Sequence, residues 1–527
     1  MTNDTPLDNN GLINTPVHHV YNPWFVAFTV MLATFMLVLD TSIANVALPH
    51  IAGNLSATVD EGTWVLTSFL VANGIVLPLS GWLSQMFGRK RLYITCVGLF
   101  TFTSFLCGIA PNLPSLIVFR ILQGFSGGAM QPLSQSILVE SFPREKRGMA
   151  MAVYGMGVVV APIIGPTLGG WITDSYNWRW IFFINVPTGI LAIILNVIVL
   201  YDPPHLIRKT SFKGVHLDLI GLSFLSLGLG ALQLVLDKGQ KEDWFASRFI
   251  VILTVVFTVS LIFALIWELK RKDPIINLHL FKNRDFAMAT GILFVIGFGL
   301  YGSTVLLPLF LQTLMGYNSF NSGLVMSPGG LVTLIMMPVV GFLTGKMNAK
   351  WLICIGLLIG AFGLFEMAKF DLNLSFKHAV WSRMIISGSL AFLFVPINAV
   401  AYARLPKKFF DQAAGLINLS RNLGASFGIS FVTTLLARRM QFHQNVLSSH
   451  TNVYNPVFAR MLEMIKAGLI SRGESAYTAA IHSKAIIYRI LQQQAMTLSY
   501  IDAFWILGVM FLLIMPLIFF LRDSNKA

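Results

Sequence analysis

The sequence predicts an all-α integral membrane protein with fourteen transmembrane helices, on three observations. Of its 527 residues 55% are hydrophobic and only 11% are charged, against roughly 25% charge in a soluble domain. Apolar stretches of the length that crosses a hydrocarbon core, about 20 residues, recur along the chain. The positive charge, net +14, is gathered in short connections between these stretches. There it sets orientation rather than binding phosphate, which excludes a nucleic-acid partner.

The first span, 25–48, is preceded by a polar tail (1–22) without Lys or Arg, which lacks the basic start and short apolar run of a cleavable signal. It carries Asp40 in FMLVLDTSIANVALP, the one carboxylate deep inside a long apolar stretch. An acid there costs several kcal/mol and marks a functional site by default. Spans two and three (63–84, 92–110) are joined by GRKR at 88–91. The fourth (114–139) carries Arg120 in RILQGFSGGAM. Asp40 and Arg120 each lie about nine residues from the same end of their spans, ~13 Å deep at 1.5 Å per residue. They share a layer, and an arginine there favours the ionised acid while burial favours the neutral one. A static ion pair that only fixes helix packing would use the same two residues.

The fifth span (149–172) is rich in Gly and Pro. Gly157, Gly165, Gly169 and Gly170 permit close helix approach, and Pro162 and Pro166 each remove a backbone donor and permit a bend. Such a helix suits a gate between two bundles. The sixth span is 179–200; the seventh and eighth are 217–237 and 249–268. The ninth to thirteenth are 287–312, 322–345, 351–370, 379–402 and 412–437, and the last is 502–522. GWLSQMFGRK after the second span and GFLTGKMNAK after the tenth hint at duplication.

The basic loops 88–91, 143–147, 208–213, 269–272 with 282–284, and 404–408 all fall on one side, whereas 49–62, 111–113 and 173–178 have no Lys or Arg. That places both termini in the cytoplasm. The long connection 438–501 lies on the opposite side and is polar, with Phe458, Leu462, Ile465 and Leu469 on one helical face between breaks at Asn455-Pro456 and Gly473.

Arg421, in the thirteenth span, is a second intramembrane cation. A backbone carbonyl, a polar side chain such as Asn398, or an anionic substrate would each satisfy it. Asn45, Trp64, Asn73, Gln123, Gln131 and Gln312 are further candidates for polar or aromatic groups in a substrate cavity. Cys96, Cys107 and Cys354 are isolated, so neither a disulfide framework nor a metal cluster is indicated. There is no G-x-x-x-x-G-K-[ST] pattern, so ATP is not the expected energy source. No cofactor is expected, and nothing points to an enzyme.

Five segments together resemble the major facilitator superfamily, in its fourteen-span drug:proton antiporter branch. They are LDTSIANVALP (39–49), GWLSQMFGRKR (81–91), RILQGFSGGA (120–129), APIIGPTLGG (161–170) and NWRWIFFINVPTG (177–189). The resemblance implies two six-helix bundles, residues 23–200 and 286–527, with the seventh and eighth spans (segment 201–285) inserted between them. It implies proton coupling at Asp40 and Arg120, gating by the fifth-span motif, and a cytoplasmic loop motif at Gly81, Gly88, Arg89 and Lys90. That loop motif often has an acid where this chain has Gln85, which puts an acid–base latch with Arg89 or Arg147 in doubt and leaves Asp40 to carry proton coupling. The 438–501 loop, with NPVF at 455–458, resembles that of EmrB-type multidrug efflux pumps. Those export amphipathic compounds from the inner membrane with a periplasmic adaptor and an outer-membrane channel. Export of one metabolite such as a fatty acid or siderophore, proton-coupled import, or a non-transporting sensor or scaffold are the alternatives on the same fold.

Overall fold

The computed structural model describes residues 22–202, 218–271, 274–452 and 454–521. Most of the N-terminal tail and the basic loop 208–213 lie outside the described residues.

The first bundle begins with α1 (Pro23–Asn54), where Pro23 takes the first helical position and the Asn22 side chain caps the Trp24 N–H. It continues through α2 (Val59–Gly62), α3 (Trp64–Val76), α4 (Ser80–Phe87), α5 (Arg89–Gly108), α6 (Leu113–Gly128), α7 (Met130–Ser141), α8 (Arg147–Ser175), α9 (Trp180–Phe183) and α10 (Asn185–Val199). Next come α11 (Leu219–Lys238) and α12 (Arg248–Lys270). The second bundle holds α13 (Arg284–Thr313), α14 (Ser319–Thr344), α15 (Ala349–Met367), α16 (Phe376–Ala403), α17 (Phe410–Ser448), α18 (Pro456–Ile470) and α19 (Ala476–Ile518). Asn283, Asn318, Asn348, Ser375, Asn455 and Ser475 cap their helices by accepting from free backbone N–H groups.

Among the described residues eleven helices are long and apolar enough to cross a membrane, or twelve if α3 and α4, bent by 61° at 77–79, form one span. The two other expected spans, 114–139 and 412–437, coincide with α6–α7 and α17. Both are too polar to pass on composition because they carry Arg120, Gln123, Gln135, Asn418 and Arg421 into the protein interior.

Three expectations about boundaries change. Pro49 does not end the first span, since α1 runs through it to Asn54. The only intrahelical loss is the donor that the Asn45 carbonyl would have met, a loss membrane helices absorb. The loop 438–501 is largely helical: α17 has 39 residues and α19 has 43, about 58 and 64 Å at 1.5 Å per residue against a core of about 30 Å. Both project beyond the membrane, with α18 packed on α19. Finally, the inserted helices do not both lie between the bundles. α11 contacts α3 of one bundle and α17 of the other, while α12 packs on α11 at the periphery.

Within the first bundle α1 packs on α8, α3 on α6 and α5 on α10; within the second α13 packs on α17 and α15 on α16. The bundles meet chiefly where α8 runs along α14.

Candidate functional site

Six elements build a closed pocket around Asp40. The Asp40 Oδ2 accepts from Arg120 Nη1 at 2.6 Å, an ion pair in which both side chains are at most 1% exposed. Its Oδ1 accepts from Asn185 Nδ2 at 2.7 Å and from Gln123 Nε2 at 3.2 Å. Arg120 also donates from Nε to the Val65 carbonyl (3.1 Å) and from Nη1 to Gln123 Oε1 (2.8 Å). Its guanidinium lies 4.2 Å from the Phe69 ring centroid and 5.6 Å from that of Phe182. Asn185 is held in turn by Ser104 Oγ at 3.0 Å.

An uncompensated charge so deep would be very costly, and a complete shell of donors and rings makes this one tolerable. Arg120 Nη2 alone has no partner among the described residues. The shell draws on α1, α3, α5, α6, α9 and α10, so a change of charge on Asp40 acts on most of the first bundle at once.

The expected cavity residues divide. Gln123 is fully buried and spends its amide on Asp40 and Arg120, so it belongs to the acid's shell. Gln131, Asn398 and Arg421 join one network across the seam. Arg421 Nη2 donates to Asn418 Oδ1 (2.8 Å) and Gln131 Oε1 (3.3 Å). Gln135 Nε2 donates to Asn398 Oδ1 (2.7 Å), and Asn418 Nδ2 to Gln135 Oε1. Tyr154 of α8 reaches Asn418 Oδ1 at 3.1 Å. The other four stand apart: Asn45 and Gln312 are exposed, Asn73 is half-buried, and Trp64 sits under the Lys238 ammonium of α11, 4.9 Å from its ring centroid.

At the end bearing the basic loops the seam is shut. Arg89 Nη1 meets Glu140 Oε2 at 2.6 Å and Nη2 meets Asp411 Oδ1 at 2.9 Å. Ser84 and Ser136 also donate to Asp411. Arg147 Nη1 reaches the Tyr402 carbonyl at 3.3 Å. A Cβ on Gly81 would stand 2.6 Å from both N and Cα of Gln412, and one on Gly148 2.7 Å from the Gly341 carbonyl oxygen. These approaches are backbone to backbone and exist only because glycine has no side chain. Gly88 joins α4 to α5 at φ 84°, a left-handed conformation glycine adopts freely. Lys90 ties this corner to the end of the sixth span through Asp202 and the Val197 carbonyl.

One expectation is corrected here. Gln85 does not cost the chain its acid–base latch, because Glu140 and Asp411 provide it from 51 and 322 residues away. Asp218, Glu268, Asp285 and Asp411 are buried too, each at most 5% exposed. Those four sit near the basic-loop ends of their helices, which leaves Asp40 alone in the opposite half of the first bundle.

Of the fifth-span glycines, Gly155 faces Met337 of α14 and Phe394 of α16, whereas the four expected to form the gate do not face the other bundle. Gly157 packs on Met31, Gly165 on Ser42 and Gly169 on Ile43, all of α1; Gly170 has open space beside it. The Pro162 carbonyl, without its usual helical partner because residue 166 is also proline, accepts from Ser42 Oγ at 3.2 Å. The contact with α14 is made instead by Gly148 on Gly341, Gly155 on Met337, Ile163 on Gly330 and Thr167 near Gly323.

Asn185, Asn418, Gln135, Glu140 and Asp411 were not singled out in sequence. For Asn185, Asn418 and Gln135 the available signal was a polar side chain inside an apolar span, and Asn185 stood within the quoted sixth-span segment; Glu140 and Asp411 lie just outside the spans, where a charge is unremarkable.

The sequence profile described as Major Facilitator Superfamily matches residues 30–429. The chain is 38% identical over 496 residues to the multidrug export protein EmrB of Haemophilus influenzae, covering 93% of this chain and 94% of that one. It is 37% identical over 498 residues to the fatty acid resistance protein FarB of Neisseria gonorrhoeae, covering 94% and 95%. In structure it is similar to the human organic anion transporter MFSD10 (TM-score 0.61, 13% identity, 95% of this chain and 99% of that one).

Proposed function

The chain belongs to the Major Facilitator Superfamily, and from that premise we propose that it exports amphipathic toxic compounds across the inner membrane in exchange for protons. The observation that carries this reading is the buried Asp40–Arg120 pair, inside a shell that only a change of charge on the acid would disturb. A scaffold has no use for such a costly site.

Proton arrival neutralises Asp40 and removes its charge attraction for Arg120, while the Val65 carbonyl keeps Arg120 on α3. α1 is thereby freed from α6 and carries α8 with it through the Gly157, Gly165 and Gly169 contacts. Because α8 also lies along α14, the change reaches the seam between bundles. Opening the basic-loop end parts Arg89 from Asp411 and Arg147 from Tyr402. With that end in the cytoplasm, as the positive-inside rule orients it, the closed form described here faces outward. One proton moving inward across 100 mV releases about 2.3 kcal/mol, and alternating access converts it into outward movement of the compound.

The compound is accommodated around Gln131, Asn398 and Arg421, where both bundles contribute polar groups beside the stacked Tyr154 and Phe394 rings. The projecting α17–α18–α19 hairpin docks a periplasmic adaptor leading to an outer-membrane channel. A relative named for fatty acid resistance favours one second reading, a narrower exporter of apolar carboxylates.

The test is flux of a cationic dye, ethidium, in proteoliposomes under an imposed pH gradient. The wild type accumulates dye on the acidic side, and Asp40→Asn leaves only gradient-independent leak. Full gradient-driven flux in Asp40→Asn would overturn the coupling role.

A further inference from the structure

The second bundle contains a buried arginine in the position that Arg120 occupies in the first. Arg120 lies seven residues after Leu113, where α6 begins, and Arg383 lies seven residues after Phe376, where α16 begins. α6 and α16 open the fourth span of their respective bundles. Each guanidinium reaches the first helix of its own bundle: Arg120 Nη1 to Asp40 on α1 at 2.6 Å, and Arg383 Nη1 to Thr304 Oγ1 on α13 at 3.4 Å. Both arginines are buried, at 0% and 5% exposure.

The difference is the acid. Where the first bundle has Asp40, the second has a threonine, and no carboxylate pairs with Arg383 among the described residues. Its Nε has no partner, and neither has Ser387 Oγ one turn further on. That hydroxyl and the stem of Arg383 both lie against Gly329 of α14, where a Cβ would strike them. A guanidinium withdrawn from water without a counter-charge costs several kcal/mol, and one neutral contact at 3.4 Å offsets little of that.

We infer that Arg383, with Thr304 and Ser387, is an anion-binding subsite for the carboxylate of an amphipathic substrate. This rests on the exporter reading and narrows its substrate class. A single guanidinium matches a single negative charge, whereas a phosphate dianion would remain half-compensated. The unpartnered Nε is one prong of the fork that holds a carboxylate bidentately; the Ser387 hydroxyl supplies a further donor, while Thr304, whose hydroxyl donates to the Leu300 carbonyl, orients the guanidinium by accepting from Nη1. The approach lies along α13, where Tyr301 and Thr304 are one turn apart and at least partly exposed. Arg383 and Phe394, the ring beside Arg421 of the central network, both lie on α16, so an apolar tail running along that helix lies toward the seam while its head reaches Arg383.

The experiment measures binding of radiolabelled dodecanoate and of uncharged dodecanol to the purified full-length protein in phosphatidylcholine nanodiscs. Arg383→Gln raises the dodecanoate Kd at least tenfold and moves the dodecanol Kd less than twofold. Arg383→Lys, which keeps the charge and loses the fork, falls between. Its melting temperature and elution profile show whether the position tolerates change. An unchanged dodecanoate Kd in Arg383→Gln overturns the inference, as does equal weakening of both ligands. A third arm replaces dodecanoate with phosphatidylglycerol in the nanodisc. If Arg383→Gln alters retention of that lipid and not dodecanoate binding, the counter-charge is a lipid headgroup and the inference fails. The exporter reading is judged separately by wild-type flux of dye and of dodecanoate under the same pH gradient: a protein that moves neither yet shows the Arg383-dependent Kd shift keeps the subsite and loses the exporter.

Discussion

Gly81→Ala tests the closed seam most directly. The new Cβ would stand 2.6 Å from the Gln412 N and Cα and 2.8 Å from its Cγ. The first two are backbone atoms, so no rotamer change relieves the clash, and α4 must move away from α17. Restoring ordinary contact at about 3.5 Å takes a shift near 1 Å, and overpacking of this kind costs roughly 1–3 kcal/mol. The shift also stretches the neighbouring Arg89–Asp411 contact, now 2.9 Å, beyond hydrogen-bond length. The cost falls on the closed form alone, because the two backbones separate when this end opens. A penalty of about 2 kcal/mol moves the closed-to-open ratio roughly 30-fold toward open. Spin labels at Lys146→Cys and Met347→Cys, exposed positions of opposite bundles at this end, read that ratio by pulsed electron resonance. Gly81→Ala should deplete the short-distance population and slow dye export. A distance distribution identical to that of the labelled parent, in protein of unchanged melting temperature, would refute the argument.

Asn185→Ala removes the 2.7 Å donor to Asp40 and leaves Oδ1 with Gln123 alone. A hydrogen bond to a charged group contributes about 1.5–3 kcal/mol, so gradient-driven dye flux should fall about tenfold or more. Asn196→Ala, at a buried site bonded to its own helix through the Ala192 carbonyl, should leave the flux nearly unchanged. Gly165→Ala drives a methyl group into Ser42, and both stability and flux should drop. Adding Ser42→Gly should recover most of the loss in thermal melts and flux, and no recovery would mean the packing partner is misidentified. Replacing 456–470 with a Gly-Ser linker should abolish co-purification of a co-expressed adaptor while proteoliposome flux persists. Retained co-purification would remove α18 from the docking surface.

Composition and span length are local properties, and they sufficed for the class. An apolar stretch near 20 residues has few alternatives to a membrane helix, because an unpaired backbone group in lipid is too costly. The sequence by itself therefore identified the helical membrane fold, the chemically unusual acid Asp40 and its layer-mate Arg120. Where it erred, the cause was specific. Pro49 looked like a terminus, since the sequence does not say whether a lost donor matters. α17 and α19 looked like span plus polar loop, because helices beyond the membrane no longer need an apolar surface. Gln85 looked like a missing latch because its substitutes, Glu140 and Asp411, are adjacent only after the bundles meet.

Only the tertiary structure decided which partners meet. It gave Asp40 its third ligand in Asn185, moved Gln123 from the substrate cavity to the acid's shell, and turned Gly157, Gly165 and Gly169 of the fifth span toward α1. It also brought out Arg383, an arginine seven residues into its helix that its sequence neighbours leave unremarkable. The missing acid beside it is a property of α13, 79 residues earlier in the chain. Charge and apolarity can be read one residue at a time; whether a buried charge is compensated depends on side chains that come together only when the helices pack.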